Sequence, residues 1–112
     1  MAEAALKAEI WIKAQIRICD LKFLPAVITR RGDSDAGSIL IKLIRFSAGT
    51  DVLTQARDLD GKRAWLRGLG STPATEAEAD AYIEKQIKYD PDLWVLEIED
   101  PHHQYEIEGK IL

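Results

Sequence analysis

The chain has 112 residues, 46 % of them hydrophobic and 30 % charged, which suits one domain with its own core and excludes disordered and fibrous classes. A net charge of -4 excludes a protein that coats nucleic acid through bulk electrostatics. The single cysteine, Cys19, excludes an internal disulfide and a thiolate metal cage; among Ile16, Ile18 and Leu21 it reads as a buried structural thiol.

Ala4 to Leu21 reads as the first helix. At the helical step Glu9, Lys13, Arg17 and Asp20 share one polar stripe, while Leu6, Ile10, Trp11, Ala14, Ile18 and Leu21 form a broad apolar face and Ile12, Ile16 and Cys19 a second. A helix that covers a sheet needs one such face. The second is therefore expected to bury against the C-terminal segment or another subunit, with Trp11, Ile12 and Ile16 as the candidate oligomer interface. Glu3, Lys7, Glu9 and Lys13 interrupt the N-terminus, so neither a signal peptide nor a membrane span is expected, and the cytoplasm is the expected compartment.

Leu24-Pro25 closes the helix, because proline disfavours helix in the residue before it. Four strands are expected next: Ala26 to Arg31, Ser38 to Phe46, Asp51 to Arg57 and Arg63 to Arg67. Their joints hold Gly32 and Gly37, Ser47-Ala48-Gly49-Thr50 and the hairpin signal Asp60-Gly61, so the four read as an antiparallel meander. The second strand is apolar on both sides and so belongs inside the sheet. Thr75 and Glu78 fit a capping box that opens a second helix, Thr75 to Tyr89, buried through Ala79, Tyr82, Ile83 and Ile87. Asp90-Pro91-Asp92 turns into a final strand, Leu93 to Glu99, with Trp94, Leu96 and Ile98 inward and Val95, Glu97 and Glu99 outward. The tail, residues 101–112, is expected either as a mobile end or as an added edge strand. The fold class is thus α+β in one domain, residues 1–112: an N-terminal helix, a four-stranded antiparallel meander, a second helix and a final strand joining the sheet.

Charge divides along the chain. Lys13 to Arg67 holds eleven Lys or Arg against six Asp or Glu, a balance of +5, and Gly68 to Leu112 holds three against eleven, a balance of -8. The two regions are expected to pair, within the chain or between subunits. Between the first two strands lies the octet RRGDSDAG, Arg30 to Gly37. It lacks the Lys of a phosphate loop and the third and twelfth ligands of a calcium loop, which leaves a charged turn capped by Asp33 and Asp35, its glycines supplying positive φ. Exposed charge on a rigid turn is also where binding residues sit, so Arg30, Arg31, Asp33 and Asp35 are the candidate binding residues. His102 and His103, beside Glu97, Glu99 and Asp100, point apart on an extended chain and make a poor ligand pair. No metal, cofactor or catalytic residue is assigned.

The octet with the following apolar strand that carries Lys42, together with EAEADAYIEKQIKYDPDLWVLEIED, resembles a family of short alphaproteobacterial proteins catalogued as domain of unknown function 1491. The resemblance runs from the first helix to about Asp100 and implies a shared α+β fold without a reaction. Three functions are open on the residues. The first is a small interaction module, expected to be a homo-oligomer or homodimer, that meets a protein partner through its first helix and charged turn. The second is a binder of nucleic acid or another anion through the sheet arginines Arg30, Arg31, Arg45, Arg57, Arg63 and Arg67, which are interleaved with Phe46 and Trp65. The third is a small carboxylate-dependent enzyme at the octet.

Overall fold

The computed structural model describes residues 7–71 and 73–112. In chain order its elements are α1 (Ala8–Leu21), β1 (Ala26–Arg30), β2 (Ile39–Ile44), a 3-10 turn (Phe46–Ala48), β3 (Thr50–Arg57), β4 (Arg63–Arg67), α2 (Glu76–Tyr89), β5 (Trp94–Glu99) and β6 (Lys110–Ile111). The part of the expected first helix before Lys7 lies outside the described residues. The strands form one mixed sheet in the order β1-β5-β2-β3-β4-β6.

This corrects the meander. Strands β2, β3 and β4 do run as antiparallel neighbours, but β5 enters between β1 and β2, antiparallel to the first and parallel to the second. The reason lies in the side chains of β5. Trp94, Leu96 and Ile98 bury under α1, and Val95, expected outward, is only 3 % exposed because α2 covers it. A strand apolar on both faces is stable in the middle of a sheet, whereas β1 alternates between half-buried and exposed positions and suits an edge.

The helices lie on opposite faces. Trp11, Ile12 and Cys19 of α1 join Ile39, Ile41 and Leu43 of β2 in one core; Ala79 and Ile83 of α2 join Leu40, Val52 and Val95 in the other. Two cations in or next to β2 serve these two layers. Lys42 Nζ reaches Asp80 Oδ1 at 2.7 Å, Glu76 Oε2 at 3.2 Å and Glu97 Oε1 at 3.7 Å, tying β2 to α2. Arg45 donates to Asp51 Oδ2 at 3.2 Å and to Asp100 Oδ2 at 3.1 Å. At Lys42 and Arg45 the basic middle and the acidic C-terminal third therefore meet within the chain, one of the two pairings expected.

Within residues 101–112 the structure has an edge strand, β6, at Lys110–Ile111. Asp100, fully buried, accepts from the backbone N–H of Gln104 at 2.7 Å and of Tyr105 at 2.9 Å; the Tyr105 hydroxyl donates to Gln15 Oε1 on α1 at 2.7 Å. Beyond it Trp65 Nε1 donates to the Glu108 carbonyl, and β6 lies parallel to β4.

Candidate functional site: the outward face of the first helix

The octet is a clasp rather than a hairpin. Asp33 Oδ2 accepts from the N–H of Asp35 and Ala36, the Asp33 N–H donates to the Asp92 carbonyl at 3.0 Å, and Trp94 Nε1 donates to the Asp33 carbonyl at 2.7 Å. Asp33 thus caps the turn and Asp35 does not; Asp35 pairs with Lys7 at 3.3 Å. Neither Gly32 nor Gly37 has positive φ. Their role is close approach, since a Cβ on either would strike the Asp92 carbonyl oxygen and come within 2.7 or 2.8 Å of Trp94 Cδ1. Arg30 donates to the Pro91 carbonyl at 2.8 Å, while Arg31 lies over the Trp94 ring at 5.2 Å and reaches Glu9 Oε1 at 3.3 Å. The four candidate binding residues are thus engaged in holding the loop to β5 and α1.

The sheet arginines do not share one open face. Arg45 is 8 % exposed and committed to Asp51 and Asp100; Arg67 leans on Asp51 at 3.6 Å; Arg63 lies over the Trp11 ring at 5.2 Å. A cleft of about 430 Å³ opens between the tail and the sheet, lined by Leu43, Arg45, Asp51, Leu53, Arg67 and Ile107. Its arginines and Asp51 satisfy one another. A second, of about 580 Å³, lies between the 3-10 turn and the start of α2, with Phe46, Pro73, Thr75 and Glu76 on its walls. No octet residue lines either of these two clefts. Among the described residues no group of three His, Cys, Asp or Glu side chains could hold a metal ion, and no helix is long and apolar enough to cross a membrane. Burial, then the charges of Asp100 and Asp20, push the Cys19 thiol up to about 11, so it stays protonated at neutral pH.

What stands open is α1 itself, on a different face from the one expected. Trp11 is 3 % exposed and Ile12 fully buried, and Ile16 is half-buried against the same core. The candidate oligomer interface is thus the inner face of the helix, because the sheet takes the bulkiest side chains and the tail reaches the same side through Gln15. Outward lie Ile10 (54 % exposed), Ala14, Ile18 (39 %) and Leu21 (70 %), one apolar stripe at spacings of four, four and three residues. Phe23, 92 % exposed, stands at its end. The two-faced pattern of the helix was visible in the sequence; which face meets the sheet was not, because both faces are apolar enough to serve.

A family model described as "Protein of unknown function (DUF1491)" matches residues 6–108. The crystal structure of a DUF1491 family protein from Caulobacter crescentus CB15 is 32 % identical with a TM-score of 0.85, covering 96 % of this chain and 100 % of its own. An NMR structure of a DUF1491 family protein from the same organism is 33 % identical with a TM-score of 0.83, covering 98 % and 99 %. Protein Atu0922 from A. tumefaciens, 23 % identical over 93 % of this chain and 90 % of its own with a TM-score of 0.75, is similar in fold. No curated protein is significantly similar to the chain.

Proposed function

The chain belongs to the DUF1491 family, whose function is not known, and on the geometry above we propose that it is a small interaction module that docks a protein through the outward face of α1. One observation carries this reading: a continuous apolar stripe, Ile10, Ala14, Ile18 and Leu21, left in solvent on a helix whose other side is already buried. Such a stripe costs solubility unless something covers it. A second copy of the chain is one such cover, which keeps a homo-oligomer within the proposal. The bacterial cytoplasm is the proposed setting; the bacterial relatives and the free, buried Cys19, which suits a reducing compartment, support it.

The test is a native mass spectrum and a partner-binding assay on the full chain and on an Ile18→Glu, Leu21→Glu variant. Assembly or binding should fall about 100-fold in the variant, near 2.7 kcal/mol. Unchanged assembly and binding would remove α1 as the docking face.

A further inference from the structure

Resting on that docking reading, we infer that the segment α1 receives is an amphipathic helix of a partner protein, apolar along one ridge and acidic on its flanks. The ridge comes first. Ile10, Ala14 and Ile18 follow one another at i,i+4 spacing, the row of side chains that interlocks with the matching row of a second helix. Ala14 in the middle of the row allows the two backbones to come close between the isoleucines on either side.

The flanks supply the charge. Lys13 and Arg17 stand three residues after Ile10 and Ala14 and form a row along one edge of the stripe; Lys7 and Lys22 mark its two ends, and all four are exposed. Arg31 adds a fifth cation beside Glu9. The anions are fewer: Glu9, held at 3.3 Å by both Lys13 and Arg31, Asp35, paired with Lys7, and Asp20. The octet adds Asp33 to these anions, but α1 with its flanking Lys7 and Lys22 by itself carries four cations against the two anions Glu9 and Asp20, a local +2 on a chain whose net charge is -4. Arg17 makes no hydrogen bond or ion pair among the described residues and is free to meet a carboxylate.

Phe23 is the second, independent pointer. The helix closes with the Leu24 N–H donating to the Cys19 carbonyl at 2.9 Å and the Phe23 N–H to the Asp20 carbonyl at 3.1 Å, a closing turn whose left-handed position is normally glycine. Here it holds Phe23 at φ 58, the residue 92 % exposed. A bulky side chain kept in a disfavoured conformation and in water fits an aromatic anchor for a partner.

Two other occupants fit less well. A second α1 packed antiparallel across a two-fold axis would set the Lys13-Arg17 row against its own copy, cation on cation. An anionic membrane would have to accept the -4 chain and its acidic C-terminal third, whereas a helix-sized ligand senses only charges within a Debye length of about 8 Å.

The probe is a fluorescent synthetic helix of about 18 residues with leucines at i, i+3 and i+4 and glutamates on both flanks, titrated with the full chain by anisotropy. Its counterpart has lysines in place of the glutamates. The glutamate helix should bind about tenfold or more tightly than the lysine helix and weaken several-fold between about 50 and 300 mM salt. Lys13→Glu with Arg17→Glu should reverse the preference, and Phe23→Gly should weaken binding about tenfold with no loss of melting temperature. All these positions are exposed, and circular dichroism confirms that each variant folds.

Equal binding of the two helices, no binding of the glutamate helix, or preferential binding to phosphatidylglycerol vesicles would each overturn the acidic-helix assignment. So would a dimer that Leu21→Glu dissolves and Lys13→Glu with Arg17→Glu does not weaken. If Leu21→Glu abolishes binding of either helix while the flank charges do nothing, the docking face survives and the acidic partner falls. If Leu21→Glu changes nothing, both fall.

Discussion

The two helices of this protein have the same length and opposite habits. Helix α2 follows the local rules: Thr75 and Glu78 form a reciprocal capping box, acidic residues fill the first turn, Lys88 lies in the last, and the exposed positions include Ala77, Ala81, Glu84 and Lys85. Helix α1 keeps an acidic Glu9 in its first turn and departs from the rest: Lys7 at its start makes no side-chain cap, no basic residue lies in its last turn, and its outward side carries Ile10, Ile18 and Leu21 before the chain turns at a left-handed Phe23. A sequence able to build α2 does not lack the means to build α1 the same way. Phe46 at φ 52, 60 % exposed, and Tyr89 of α2, 73 % exposed, depart singly, whereas Ile10, Ile18 and Leu21 stand together on α1 with Phe23 at its end, and such a grouping is what marks a surface where stability gives way to recognition.

The way each helix is tied down extends the contrast. The tail that clasps α1 hangs on the buried pair Arg45–Asp100, and α2 is tied by Lys42 to carboxylates that remain half in water. The largest effect is expected from Asp100→Ala, which strands Arg45 without one of its partners and frees the backbone of Gln104 and Tyr105. The loss should be about 3 kcal/mol in urea unfolding, with the tail amides losing protection from hydrogen exchange. Lys42→Ala should cost less, about 1 to 2 kcal/mol, because Glu76 and Asp80 are each 56 % exposed and rehydrate.

The two ties also respond to pH in opposite directions. Burial raises the Asp100 pKa, but the N–H groups of Tyr105 and Gln104 and the charge of Arg45 outweigh it and hold the carboxyl below the usual aspartate range. Its contribution is present above pH about 4 and is lost as pH falls through the depressed value, so the tail should loosen first in acid. Burial lowers the Lys42 pKa, and hydrogen bonds to Asp80 and Glu76 with the charge of Glu97 more than reverse it, leaving the amine above the ordinary lysine value. That tie is complete below pH about 10 and is lost as pH climbs through the raised value, so α2 should loosen first in base. Exchange at the tail amides and at α2 amides, followed from acid to alkali, separates the two; a single transition at both ends would mean that the helices are not independently tied.

The contrast also explains what could be read before folding. Helix α2 was legible to its cap, because Thr75, Glu78 and the apolar positions Ala79 and Ile83 all report the same local state. The strands β2 to β4 were legible for the same reason. The place of β5 was not: Val95 alternates with Trp94 and Leu96 like an outward residue, and only the arrival of α2 from elsewhere in the chain makes its position interior. The octet misled because glycine between charges usually means a turn with positive φ, and here it means that a remote carbonyl, that of Asp92, needs room. At α1 the apolar residues were visible and their orientation was not, since burial there is decided by Trp11 meeting Trp65 at 5.2 Å across the core, a contact between residues far apart in sequence.

Two smaller substitutions turn the contrast into a matched pair. Thr75→Ala removes the cap of α2 and should lower stability by about 1 kcal/mol with no effect on any ligand of α1. Phe23→Gly relaxes the left-handed end of α1 and should raise stability by about 1 kcal/mol, since glycine adopts that conformation without a Cβ clash. A gain at Phe23 that comes with weaker docking would separate stability from recognition at one residue. A loss of stability there would instead make Phe23 a structural cap, and the departures of α1 from the local rules would then need no partner to explain them.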